Sequence, residues 1–438
     1  MDPAWRVPSQ FTDLNRAALV LIISDTFFQG IRYALVLYLG FYSLSFLGAF
    51  LFGTAAGALL AVVIDFGINQ HWIRLPASDP ALNRTTFIRV LLAKSGLSVL
   101  GMAMVLGLSG AGAWNIGPLP AMAAGLFLAS LQGLGETCEA LCLARHRYGL
   151  VSLFRVWLGL SMYGLPLIVG SILAAQSGEE GLYIALQGAS VLSVAMLYAY
   201  AWYAAGSLPS DAVKPNGGYR QAWWDARWLG LNQTAIVVDV RVPLLILGIM
   251  LGGTAVGLYG LVQRTTAIVE LAWASLSKLL LKSYAETVSA SGKAHVLSRM
   301  LAASKLTGLI VVGATVSVWT GTLFIERIME LTEETSIALS LLRWALVAIG
   351  LSSLKRPLVA GLLALHQERV VSRINVLSAM AGVMLIPFLI LSFGIWGPVA
   401  GWILLEGVAC LLLFRHFLSI PFAPKSGVDE RMSQRAGI

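Results

Sequence analysis

Read as a pattern of apolar and polar positions, the chain is a succession of apolar runs about twenty residues long, separated by short polar breaks. The first run, Ala17 to Leu39, shows both the rule and its exception. Its 23 residues, at ~1.5 Å of helical rise each, cover about 34 Å, enough for a hydrocarbon core of roughly 30 Å. Yet Asp25, Gln29 and Arg32 lie inside it. Their i, i+4, i+7 spacing draws one polar line down one helix face. A charge held in lipid costs roughly 2.5 to 3.5 kcal/mol on insertion scales, so that face must look at protein or water. Eleven further runs follow, at about 44 to 66, 87 to 108, 117 to 141, 151 to 174, 182 to 204, 228 to 251, 256 to 279, 304 to 325, 336 to 354, 374 to 393 and 397 to 418. Twelve membrane-spanning helices are therefore expected, the fifth and tenth interrupted by Arg155 and Arg343.

The longest polar break, Gly206 to Arg227, carries Pro209, Pro215, Gly217 and Gly218 and divides the spans into two sets of six. The expected organisation is an N-terminal lobe over 1–205, a cytoplasmic linker over 206–227, a C-terminal lobe over 228–420 and a cytoplasmic tail over 421–438. The halves echo each other. Leu143-Ala144-Arg145-His146 returns as Leu363-Ala364-Leu365-His366 at an offset of 220, Pro166 is answered by Pro387, and Arg32 falls on Arg241 at an offset of 209. A rival register aligns Gly53-Thr54-Ala55-Ala56-Gly57 with Gly253-Thr254-Ala255-Val256-Gly257. It would put a mid-span segment on an outer loop, so these read as small-residue packing motifs. Six plus six spans starting on the same side form a parallel repeat about an axis along the membrane normal, a common transporter plan.

Composition agrees with this picture. The chain has 438 residues, 58% hydrophobic and only 12% charged, with a mean hydropathy of +0.79, far from a soluble globule. The net charge of +8 reads as basic cytoplasmic loops rather than as a nucleic-acid surface, because position decides. With the N-terminus inside, 25 of the 30 basic residues lie on inner loops, inner helix ends or tails, counting Lys94 and Arg155 among them. Both termini are then cytoplasmic. The first span is too long for a signal-peptide core and lacks a small-residue exit, so no cleavage is expected. Cys138 and Cys142 share a helix face but have no second ligand pair, and with Cys410 they read as small buried residues; no metal site or cofactor is implied. The histidines sit at inner helix ends and read as interfacial.

Of the five remaining cations, Arg327 sits at the outer end of span nine beside Glu326 and reads as interfacial, and the candidate chemistry lies in the other four. Arg32, Arg241, Arg264 and Arg343 fall roughly 10 to 15 Å deep in the outer half of the bilayer, counting from the outer helix ends. An arginine fork pairs bidentately with phosphate or carboxylate, so four converging from spans one, seven, eight and ten would attract an anion. The bland alternative is internal ion pairing with Asp25, Asp239, Glu270 and one further acid. Span eight adds a polar line through Tyr259, Gln263, Thr266, Glu270, Trp273 and Ser277. In span seven, Asn232 and Asp239 share a face while Asp239 and Arg241 point nearly opposite ways. Asp25 reads as the counter-ion of Arg32 or as a coupling site, with Asp239 and Glu270 in the same role. Glu136 and Glu139 read as structural partners of Arg145 or Arg147. No phosphate-binding loop of the nucleotide-hydrolysing type is present, and the short outer loops leave no room for a catalytic domain.

Leu39-Gly40 through Asp65-Phe66-Gly67 with Arg74 and Ala77, the echo in Leu251 to Tyr259, and the L-A-x-H segments before spans five and eleven resemble the polysaccharide transporter family. These are the Wzx-type O-antigen and exopolysaccharide flippases of the multidrug/oligosaccharidyl-lipid/polysaccharide (MOP) superfamily. The resemblance covers nearly the whole chain as topology and diffuse pattern. It implies an all-α integral membrane fold of two six-helix lobes around a cationic cavity. It also implies alternating access that moves a polyprenyl-pyrophosphate-linked oligosaccharide across the inner membrane, in contact with membrane lipid and with polymerase or export machinery. The substrate-binding set would be Arg32, Arg241, Arg264, Arg343, Gln29 and Gln263, and no enzyme activity is implied. A cation-coupled multidrug exporter of the same superfamily is the alternative, and a membrane sugar-transfer enzyme a more remote one. The lipid II flippase branch usually has fourteen spans, which argues against it.

Overall fold

The computed structural model describes residues 9–74, 82–112, 116–206, 224, 226–267, 284, 293–328, 332–365 and 367–419. The described residues form helices and turns with no strand. In chain order the N-terminal half holds α1 (Ser9–Tyr42), α2 (Leu44–Asp65), α3 (Ile68–Arg74), α4 (Arg84–Gly110) and α5 (Leu119–Ala144). It continues with α6 (Tyr148–Gly159), which passes through a π-turn (Leu160–Gly164) into α7 (Leu165–Ser177), and with α8 (Glu179–Gly206). The C-terminal half holds α9 (Arg227–Leu251), α10 (253–267), α11 (Lys293–Ile328), α12 (Glu333–Ala364) and α13 (Glu368–Phe393). A 3₁₀ turn (Gly394–Trp396) then leads into α14 (Gly397–Ser419). Among the described residues, eight helical stretches are long and apolar enough to cross a membrane, among them 369–419, which spans α13 and α14. The chain is an all-α membrane protein.

Each of the twelve expected spans falls on a helix, span eight in its first part only, since 268–279 lie outside the described residues. So do the expected linker, apart from Trp224, Ala226 and Arg227, and the tail. Helices α1, α11 and α12, at 34, 36 and 32 residues, outrun the apolar stretches that predicted them. Hydropathy marks only the part of a helix that must cross lipid. Pro243 is accommodated inside α9, which runs unbroken to Leu251.

The repeat is visible in the backbone. Helices α5 and α12 both end in a turn where an amide reaches five residues back: Arg147 N donates to Cys142 O at 2.8 Å, and Gln367 N to Leu362 O at 2.9 Å. This is the Schellman closure, and the two copies stand 220 residues apart, on the L-A-x-H echo. In the first copy His146 takes the left-handed position at φ 57°. The offset of 209 is equally visible: α1 ends at Tyr42 and α9 at Leu251, each followed by a single linking residue, Ser43 or Gly252.

Within the N-terminal half, α2 and α5 cross at backbone contact. A Cβ at Gly53 would collide with the Met122 carbonyl, and one at Gly125 with that of Phe50. The small-residue reading of 53–57 is thus a packing motif between two helices of one lobe. The two halves meet along α2, α9 and α10. A Cβ at Gly48 would collide with the carbonyl of Gly253, and a Cβ at Gly257 with that of Leu44. Adding 209 to Leu44 and Gly48 gives Gly253 and Gly257, so each contact is the image of the other under the repeat. Toward the opposite end, α2 stops at Phe66 (φ 38°) and Gly67 (φ 80°), and a Cβ on Gly67 would stand 2.5 Å from Gly230 N on α9. The lobes therefore touch along this seam near both ends of α2.

Candidate functional site

Between the lobes lies a cluster of arginines. Arg32 on α1 and Arg241 on α9 both stand ten residues before the last residue of their helices, Tyr42 and Leu251. Arg264 comes from α10. Arg241 is within electrostatic reach of Arg32, and Arg264 within reach of both; Arg241 and Arg264 are also within electrostatic reach of Tyr163. Arg32 is buried, its guanidinium carbon 5.5 Å from the centroid of the Tyr163 ring, a cation–π arrangement. Arg241 and Arg264 are half-buried. Among the described residues none of the three forms an ion pair.

The sequence places Tyr163 there by an unusual device. The π-turn Leu160–Gly164 precedes Pro166, and its extra residue per turn rotates Tyr163 toward α1, where it also meets Phe28 edge-on at 5.5 Å. Such bulges are frequent at functional sites. The Tyr163 hydroxyl donates to Gln132 Oε1 at 3.5 Å, and Gln132 Nε2 donates to Glu136 Oε1 at 3.2 Å. A polar thread therefore runs from the arginines into α5. Across the seam, the hydroxyls of Tyr33 and Thr265 are 3.2 Å apart, and Gln263 Nε2 donates to Val240 O at 2.9 Å. Gln263 is thus a strut between α10 and α9. Gln29, one turn from Arg32, is half-buried.

Several expectations change. Arg343 is not in the cluster: its Nη2 pairs with Glu326 Oε1 at 2.5 Å, tying α12 to α11. Its depth matched the others, but helix depth carries no information about azimuth. Asp25 does not neutralise Arg32. Its Oδ1 lies 2.9 Å from Arg155 Nη1, and Arg155 also grips Glu139 at 2.8 Å. Sequence position groups Arg155 with the inner-end cations and Glu139 with Arg145 or Arg147; the packing of α6 against α1 and α5 joins them instead. Lys94, also counted at an inner end, is buried and reaches Asp65 (2.5 Å), Asn69 (2.9 Å) and Thr137 (2.9 Å). Asp239 turns away from Arg241 into the C-terminal lobe, in electrostatic reach of Lys355 and Glu406, which pair at 2.5 Å. Asn232, on the same face, accepts from Asn375 Nδ2 at 3.2 Å. The polar line of α10 is no water-lined face at its start, since Tyr259 and Thr266 are both buried. Glu270, Trp273 and Ser277 lie outside the described residues.

The sequence alone did not single out Tyr163, Tyr33 or Thr265. The one available signal was Pro166, whose ring forbids an ordinary helical turn just before it. Cys138 and Cys142 are buried and unpaired.

No family model matches the sequence, and no curated protein matches it. Solved structures do resemble the fold. A lipid II flippase, MurJ, in an inward closed conformation superposes with a TM-score of 0.66 at 11% identity, over 92% of this chain and 88% of that one. An inward-facing multidrug resistance MATE transporter of the MOP superfamily gives 0.63 at 13% identity, over 89% and 93%. A MOP-superfamily transporter from Pyrococcus furiosus, described as having a binding pocket of reverse polarity, gives 0.59 at 14% identity, over 92% and 94%. The chain shares the overall fold of these solved structures.

Proposed function

We propose that this protein is a flippase for a polyprenyl-pyrophosphate-linked oligosaccharide, working by alternating access in the bacterial inner membrane with both termini cytoplasmic. The lobes would follow the expected division, 1–205 and 228–420. The observation that carries the reading is the set of Arg32, Arg241 and Arg264, gathered between the lobes with no ion-pair partner among the described residues. Three like charges held together in a low-dielectric setting repel one another, and an anion carrying more than one charge relieves that cost. A pyrophosphate offers several oxygens to bidentate forks, while the prenyl tail stays in lipid and the glycan occupies the space between lobes. Gln29, Gln263, Tyr163 and Gln132 supply neutral hydrogen-bonding groups around it. The fold supports a transport role, and no chemical step is assigned to any residue. A product exported this way would pass to a polymerase or other export machinery on the far side.

The second reading, a cation-coupled multidrug exporter, is favoured by the acids Asp25, Glu139, Asp239 and Glu406 within the lobes and by the similarity to multidrug transporters. Against it, the three arginines disfavour passage of a cationic compound. The deciding experiment reconstitutes the full chain in vesicles with a fluorescent polyprenyl-diphosphate oligosaccharide and follows its transfer between leaflets. Wild type should transfer it and the Arg32/Arg241/Arg264 triple-alanine variant should not. Equal transfer by both would overturn the proposal, as would cation-driven efflux of lipophilic cations by the wild type without lipid transfer.

A further inference from the structure

The elbow between α5 and α6 forms a pocket that the transport site does not use. It has a volume of about 550 Å³ and is lined by Val20 of α1, residues His146 to Leu150, and Tyr203 of α8. The Schellman closure shapes it: with His146 in the left-handed region at φ 57°, the chain reverses and α6 begins directly inside the pocket. No side chain caps that helix start, so the first amides of α6, in residues that line the pocket, have no intrahelical acceptors. The Arg147 side chain is exposed and has no ion pair among the described residues, while His146 Nδ1 lies 2.9 Å from the Tyr148 hydroxyl.

The surroundings fix the level of this pocket relative to the membrane. Tyr198, Trp202 and Tyr203 project outward from the end of α8, at 72%, 76% and 60% exposure, and Arg84 lies 6.0 Å over the Trp202 ring. Aromatic side chains interleaved with arginine mark the headgroup layer. Below them Leu153 and Trp157 of α6 are exposed and apolar, a surface for acyl chains. A basic pocket between helices at this level suits an anionic headgroup.

We propose that this elbow binds the phosphodiester headgroup of an anionic phospholipid. Arg147 and the free amides of α6 hold the phosphate, Tyr148 and Tyr203 flank it, and the acyl chains lie along Leu153 and Trp157. The site is separate from the arginine cluster, and its existence does not depend on what is transported.

The test uses the full chain, purified and reconstituted in phosphatidylcholine nanodiscs doped with phosphatidylglycerol, with lipid retention read by native mass spectrometry. Wild type should retain phosphatidylglycerol over phosphatidylcholine. Arg147→Ala should reduce that preference about fivefold, following ~1 kcal/mol per basic contact near an anionic surface, and His146→Asn, which tolerates the left-handed position, should reduce it less. Because a variant could misfold, a photoreactive phosphatidylglycerol is also crosslinked to wild type, and its adducts should map to 146–150 and 203. Equal retention of the two lipids, an unaltered preference in Arg147→Ala, or adducts mapping elsewhere would each overturn the proposal. Displacement of the photoprobe by polyprenyl diphosphate at tenfold lower concentration would also overturn it, reassigning the pocket to substrate.

Discussion

Two regions of this protein hold buried or half-buried cations and treat them in opposite ways. Inside the N-terminal lobe, Lys94 is answered by Asp65, Asn69 and Thr137, and Arg155 by Asp25 and Glu139. Where the two halves meet, Arg32, Arg241 and Arg264 are gathered near Tyr163, and among the described residues none of them has an acidic partner. A buried pair that is fully hydrogen-bonded is a fixed joint between helices. A cluster of like charges repels itself unless solvent or an anion offsets the cost. The first arrangement belongs to architecture, and the second is where we propose that a ligand binds.

The comparison predicts that the two kinds of cation respond oppositely to removal. The largest effect is expected at Lys94→Met, which strands Asp65 and should destabilise the protein by about 3 to 5 kcal/mol, read as a lowered thermal transition in detergent. Adding Asp65→Leu should restore much of it, and failure of that rescue would mean that Lys94 is not simply a partner for Asp65. Arg155→Gln should act in the same direction, with Asp25 and Glu139 then facing each other uncompensated. Next come Arg241→Ala and Arg264→Ala. Each should lower substrate transfer roughly 10- to 150-fold, the equivalent of about 1.5 to 3 kcal/mol for a charge-assisted contact, while leaving the thermal transition unchanged or raised, because a repulsive partner is gone. A transition that falls as far as in Lys94→Met would erase the distinction. Arg343→Ala serves as the contrast: it breaks the pair with Glu326 and should cost stability with a far smaller loss of transfer. The smallest effect is expected at Asn232→Ala, where one neutral hydrogen bond between membrane helices is worth about 0.6 kcal/mol.

The seam between lobes offers a parallel contrast. Near one end, the contacts of Gly48 with Gly253 and of Leu44 with Gly257 are images of one another under the repeat. Toward the other, Phe66 and Gly67 rest on Gly230. For that contact the offset of 209 carries Gly67 onto Leu276, which lies outside the described residues. If the protein works by alternating access, as we propose, both contacts separate and re-form in turn, and glycine permits the backbone approach seen at each. Gly230→Leu should therefore prevent close approach at the Gly67 end, detectable as increased alkylation of a cysteine placed at Gln29.

Much of the fold was legible in the sequence. Hydrophobic runs of membrane length have one economical structure, and each of the twelve meets a helix because an unpaired backbone cannot lie in lipid. The repeat was legible as well, since L-A-x-H and the pairing of Arg32 with Arg241 recur in the turns and helix ends. Depth and the repeat picked out Arg32 and Arg241, and depth alone Arg264, all three of which lie within electrostatic reach of one another. What the sequence could not settle was azimuth and partner. Arg343 lies at the same depth as the others but meets Glu326. Asp25 shares a helix face with Arg32, yet α6 brings Arg155 to it first. Tyr163 reaches the cluster only through a π-turn, which leaves no periodic trace. One-dimensional pattern fixes which residues must leave water and how far along a helix they lie. Only the packing of helix against helix decides which buried charge finds a counter-ion and which is left for a ligand.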